Sequence, residues 1–226
     1  MAPHAMSSRS RLGRLSTRHF VGNRFFDRLG RAVCEAAALP RKEFSETWEV
    51  ATRIRKKIRG RPVLELGAGH GFLSMLLLLL DDSIPRATCV DRSQPLSHDR
   101  LLSTLTAHWP RLAGRVEYRR QKLQQAMPEP RSLVACVHGC GELTDIALSL
   151  AITTASAVAV LPCCHDFDRS DTAGLSGWLD VPLAIDVTRA ARLAGSGYVV
   201  RTATIPVEIT PRNRLLLGWP REGTHP

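Results

Sequence analysis

Arg61-Pro62-Val63-Leu64-Glu65-Leu66-Gly67-Ala68-Gly69-His70-Gly71-Phe72-Leu73-Ser74 joins an apolar strand to a helix through three glycines at alternate positions. Val63 to Leu66 has the continuous apolar character of a buried strand, and Phe72 to Leu80 is an apolar helical run. Strand, glycine turn and helix N-terminus together let backbone come close to a nucleotide-like ligand. A dinucleotide fingerprint, G-x-G-x-x-G, would need Gly or Ala at position 72, where Phe72 stands. Twenty residues past Gly71, Ala87-Thr88-Cys89-Val90 reads as a second buried strand with Asp91 at its end. A carboxylate there can accept two hydrogen bonds from ribose hydroxyls.

The pattern E-x-G-x-G-x-G resembles motif I of the class I S-adenosylmethionine-dependent methyltransferases. The resemblance implies an α/β, Rossmann-like, mostly parallel seven-stranded sheet with an antiparallel last strand, plus an N-terminal helical extension. It implies S-adenosylmethionine as cofactor, held by Glu65, Gly67, Ala68, Gly69, Gly71 and Asp91, with Glu65 acting on the cofactor or orienting the turn. Related enzymes place an Asp beyond the third strand, facing the adenine amino group. Here Gln121 and Lys122 occupy that region after Val116–Arg119, and Gln121 is the substitute the sequence offers.

The 226 residues suit one α/β domain with an extension, and 44% apolar content is ordinary for a globular chain. The longest apolar run is too short to span a membrane, and the first twenty residues lack the apolar centre of a signal peptide. Cys89 and Cys136 fall in expected strands, as small apolar filler does in a reducing compartment, and a cytoplasmic location is expected. The net charge of +10 is concentrated: residues 1–60 hold 14 Lys/Arg against 5 Asp/Glu. Such a patch favours a polyanion, RNA above all, although a merely solvated basic helix has the same composition.

Residues 1–20, Ser/Arg-rich and without an acidic residue, are expected as a disordered basic tail. Mitochondrial presequences share that composition. Residues 21–60 read as a basic helical extension: one helix carries Phe25, Phe26, Leu29 and Val33, and a second runs from about Lys42 to Ile58 with Gly60 as its cap. Residues 61–226 form the cofactor-binding domain, alternating strand and helix up to a closing hairpin around Thr210-Pro211-Arg212-Asn213.

Two further turns concentrate reactive side chains: His138-Gly139-Cys140-Gly141 after the fourth strand, and Pro162-Cys163-Cys164-His165-Asp166 after the fifth. The methyltransferase resemblance implies that the first, fourth and fifth strands are neighbours, so with Gly67–Gly71 these turns are expected to converge on one crevice at the carboxyl ends of the strands. Zinc is one reading, opposed by the lack of C-x-x-C spacing and by three adjacent ligand types. Pro162-Cys163 is similar to a motif of RNA cytosine-C5 methyltransferases, whose thiolate attacks the base. Plain turn structure is a third reading. In a fourth, H-x-C-G-x-x-T-D (His138, Cys140, Gly141, Thr144, Asp145) and C-C-H resemble a methyltransferase group that includes a eukaryotic tRNA ribose 2′-O-methyltransferase. That group has Leu where Gly139 stands, and its zinc modules have no counterpart here. The candidate catalytic residues are His138, His165 and Cys164, with either imidazole as general base toward a hydroxyl. His138 is also a candidate cofactor contact. Asp145 is read as a carboxylate in a helix's first turn, and Trp178 as a stacking or covering residue on a loop.

Overall fold

A computed structural model describes residues 7–137, 139 and 141–221; His138 and Cys140, both singled out by the sequence, lie outside the described residues. Seven strands form one sheet: β1 (Val63–Leu66), β2 (Ala87–Asp91), β3 (Val116–Arg120), β4 (Leu133–Val137), β5 (Ala157–Leu161), β6 (Tyr198–Thr204) and β7 (Arg214–Pro220). Their order is β3-β2-β1-β4-β5-β7-β6. The first five are parallel, and β7 lies antiparallel between β5 and β6. This is the expected Rossmann-like sheet with its antiparallel last strand. The order reverses between β1 and β4, the place where such sheets open a crevice beyond the strand ends.

Side chains alternate across the sheet. Val63, Leu133, Ala135, Ala157, Ala159, Leu215 and Leu217 join one core; Leu64, Leu66, Val134, Cys136, Val158, Val160 and Leu216 join the other. The second core is closed by α5 (Leu143–Thr153) and by Leu193 of α6 (Val181–Gly195). The first is closed by α3 (Phe72–Leu80) and α4 (Leu96–His108). Phe72 to Leu79 are all buried because α3 lies between the sheet and α2 (Arg41–Arg55). A helix covered on both sides is apolar all round, which explains the Leu76–Leu80 run. Phe44 of α2 stacks on Phe72 with ring centroids 5.8 Å apart. α1 (Phe25–Ala36) packs on α4 and, through Phe25 and Phe26, on Trp48 and Trp109.

The disordered tail expected over residues 1–20 is corrected from residue 7 onward. Leu12 and Phe20 are buried, and the Phe20 ring fills the space above Gly30 that a Cβ would occupy. Backbone bonds tie Leu12 to Leu39, and Ser10 and Ser8 to the first residues of α2. Two apolar anchors thus outweigh a composition that reads as unstructured. α2 ends at Arg55, and Gly60 caps nothing: its N–H donates to Asp81 Oδ2 (3.2 Å) in the turn toward β1. Among the described residues no helix is long and apolar enough to cross a membrane.

Candidate active site

The glycine turn is held from below and left open above. Gly67 and Ala68 donate their N–H groups to the Val90 carbonyl, and Gly71 to that of Ala68. Gly69 adopts φ +50°, and a Cβ there would meet nothing within 4 Å, so its surface faces open space. Gly71, at φ +69°, is the opposite case: a Cβ would come 2.8 Å from His98 Nδ1 and 2.9 Å from Cys89 Sγ. Its glycine is required by packing beneath the turn.

That packing is a cluster the sequence did not disclose. His98, 2% exposed, must carry its proton on Nδ1, since it bonds the His70 carbonyl at 2.9 Å. Burial lowers the His98 pKa. Its ring packs edge-on against Tyr118, centroids 4.6 Å apart, and the Tyr118 hydroxyl lies 3.0 Å from the carbonyls of Gly69 and Ser93. Tyr118 extends from edge strand β3 beneath the turn, a placement no local spacing predicts.

Glu65 is buried at 5% exposure and does not line the crevice. Its Oε2 accepts the N–H of Ser74 at 2.9 Å, which ties β1 to the first turn of α3. Of the two roles weighed for it, orientation of the turn is the one its contacts serve. Burial raises its pKa to about 7, against the hydrogen bonding from Ser74. Asp91, at the end of β2, takes the N–H of Gly69 on Oδ2 (3.0 Å) and that of Arg92 on Oδ1 (2.6 Å). Each oxygen keeps a lone pair for a further donor.

A cavity of about 580 Å³ opens at the strand-order reversal. Leu66, Gly67, Asp91 and Arg92 form one wall; Cys136, Gly139, Gly141, Glu142 and Leu143 form the other. Leu123 and Gln124 close one end, and Asp166 and Arg169 line it as well. Gly139 is fixed by size, because a Cβ would stand 2.6 Å from Cys136 Sγ. The three turns do converge, although not through every expected residue. Gln121 uses its N–H on the Asp91 carbonyl and stays off the cavity wall; the 3-10 turn Leu123–Gln125 brings Gln124 there instead.

His165 and Cys164 line a neighbouring cavity of about 360 Å³ with Asp180, Asp186, Arg212 and Arg214. This corrects their expected place in the glycine crevice: the chain turns after Pro162, so Asp166 faces the crevice while His165 points under α6. His165 Nε2 bonds Asp186 Oδ1 at 2.8 Å, and Asp186 Oδ2 accepts Arg214 Nε at 2.7 Å. Burial alone would raise the Asp186 pKa, but the His165 and Arg214 contacts hold it below the ordinary range. Arg189, 3% exposed, joins Asp186 to Asp145 with a two-pronged bond to the latter (3.0 and 2.6 Å). Asp145 therefore serves an ion pair between α5 and α6. The backbone N–H of Gly141 reaches the Cys164 carbonyl at 3.2 Å and joins the two turns. Among the described residues, no group of three or more His, Cys, Asp or Glu is placed to hold a metal.

A seven-stranded sheet of this order, with a glycine turn bonded to a carboxylate where the strand order reverses, defines a doubly wound α/β protein. Residues 42–167 match the methyltransferase domain family, and the chain belongs to that family. No curated protein matches the chain. Its fold is similar to an O-methyltransferase family protein from Burkholderia thailandensis (18% identity, TM-score 0.52, 94% of this chain and 64% of that one). It is also similar to the pyocyanin biosynthetic protein PhzM (20%, 0.51, 89% and 63%). A third likeness is to the S-adenosylmethionine-dependent methyltransferase SibL (18%, 0.52, 93% and 66%). The chain thus spans just under two thirds of the length of each of these structures.

Proposed function

We propose that this methyltransferase-family chain uses S-adenosylmethionine to methylate an RNA, at a hydroxyl or a base nitrogen. The observation that carries the cofactor assignment is the open glycine turn with Asp91 bonded beside it on the same wall of the crevice. The residues fit the cofactor's chemistry. Asp91 keeps acceptor capacity for a ribose diol, Leu123 and Leu143 offer apolar surface to adenine, and the backbone at Gly67 faces the space left for the methionine end. The bound cofactor supplies an activated methyl group. The chain's own residues then have to align the acceptor and take its proton. For an acceptor that reaches into the adjoining cavity, His165 can take that proton on Nδ1, because Asp186 accepts from Nε2.

Cationic side chains around the mouth support a polyanionic acceptor. Arg92 and Arg169 line the crevice, and exposed Arg120 stands in register with Asp91 at the end of β3. Arg11 and Arg100 are close enough to His70, in the glycine turn, that their charges add to burial in lowering its pKa. A second reading, a small-molecule acceptor, is favoured by a largely apolar cavity of about 490 Å³ between α6 and the β6–β7 hairpin. That cavity shares Pro162, Asp186 and Arg214 with the His165 cavity.

Calorimetric titration of S-adenosylmethionine into wild type and Asp91→Ala tests the cofactor site. Micromolar binding, weakened at least about tenfold in the variant, is expected from the loss of a bidentate acceptor. No binding by folded wild type overturns the enzyme reading. A labelled-methyl assay on RNA pools then separates the two acceptor classes.

A further inference from the structure

Cys163 and Cys164 follow one another on the turn after β5, with their sulfurs 3.8 Å apart. Cys164 is exposed at the wall of the His165 cavity, and Cys163 is partly covered. Arg212, reaching over from the β6–β7 turn, places Nη1 2.9 Å from Cys164 Sγ and also donates to the Cys163 carbonyl. A guanidinium against a solvent-accessible thiol stabilises the thiolate, the form that reacts with peroxides. A second thiol beside it is the arrangement that resolves the first oxidation product.

We infer that Cys163–Cys164 is a peroxide-reactive dithiol, with Cys164 the attacked sulfur and Cys163 the resolving one. The Cys164 thiolate attacks one oxygen of hydrogen peroxide. An S–O bond forms, the O–O bond breaks, and hydroxide leaves to take up the proton that Cys164 released. Cys163 then attacks Cys164 Sγ and gives up its own proton. The S–S bond forms as the S–O bond breaks, and a second water departs. Two thiols are oxidised by two electrons in total, and one peroxide is reduced to two waters. The inference is independent of the methyl acceptor, since Cys163, Cys164 and Arg212 act with peroxide alone.

Cys164 directly precedes His165 and lines the same cavity, so the dithiol lies beside the candidate base. The test is intact-mass analysis of the full chain after brief treatment with hydrogen peroxide, followed by peptide mapping without reductant. Loss of two hydrogens, mapped to the Cys163–Cys164 peptide and reversed by dithiothreitol, is expected. Arg212→Ala should react several-fold more slowly, and Cys163→Ser should halt at a sulfenic acid that dimedone traps on Cys164. First oxidation at another cysteine, or an Arg212→Ala rate equal to wild type, would overturn the inference. So would conversion of wild-type Cys164 to sulfinic acid without any linkage.

Discussion

Gly71 has backbone φ +69° and no room for a Cβ against His98 and Cys89. Gly71→Ala combines left-handed strain with a clash and should lower stability by about 2–4 kcal/mol, read from the shift of a denaturant midpoint. Gly69→Ala has strain without the clash and should cost less. Glu65 makes a second prediction, with a sign. Its buried carboxyl has a pKa of about 7 against an ordinary value of 4.5, so the folded state holds this proton more tightly than the unfolded chain. Stability from this group is present below about pH 4.5 and falls as pH rises through 7, by roughly 3 kcal/mol in total. Glu65→Gln keeps an acceptor for the Ser74 N–H and should flatten that fall; equal pH slopes in the two proteins would refute it. At this scale the sequence placed Gly67, Gly69 and Asp91 together at the strand ends, because a turn motif is local. It could not disclose Asp186, on α6 and 21 residues from the turn that carries His165, nor the Tyr118–His98 contact beneath the glycine turn. Gln124 escapes the sequence for a smaller reason: a 3-10 turn shifts the adenine-side candidate by three residues from Gln121.

The helices before β1 make up a layer of the fold. Phe44, Val50, Ala51 and Ile54 of α2 are buried, and they cover the outer side of α3. Removing residues 1–60 would expose a helix apolar except for Ser74, so the shortened chain is expected to aggregate on expression, as monitored by light scattering. Phe44→Ala should cost about 3–5 kcal/mol through the cavity beside Phe72. The element pattern is legible where one periodicity rules, as in the β1–glycine–α3 unit and the strand–helix alternation after it. It misleads where composition argues against two well-spaced anchors, Leu12 and Phe20. The cationic end of α2 is likewise only half available: Arg53 pairs with Glu49 and bonds the Thr204 carbonyl, and Arg59 pairs with Asp81.

Across the whole molecule, the positive charge counted in the sequence divides between side chains used inside the fold and side chains around the mouth. If RNA is bound at the crevice, Arg92→Glu with Arg169→Glu should weaken binding and make it less salt-dependent. The log–log slope should fall by about 0.7–0.9 for each phosphate that no longer meets a cation. Lys56→Glu with Lys57→Glu, on exposed residues that do not line the crevice, should do so less. Equal effects from both pairs would mean diffuse attraction and no defined path to the site. The sheet carries a different consequence. β7 is the last strand in chain order, yet it occupies an interior place between β5 and β6. During synthesis on the ribosome the open side of β5, five buried apolar residues long, waits for residues 214–220 to emerge. β6 meanwhile has no neighbour to pair with. The sheet closes in one late step, and until then a bare edge is offered to any other unfinished chain.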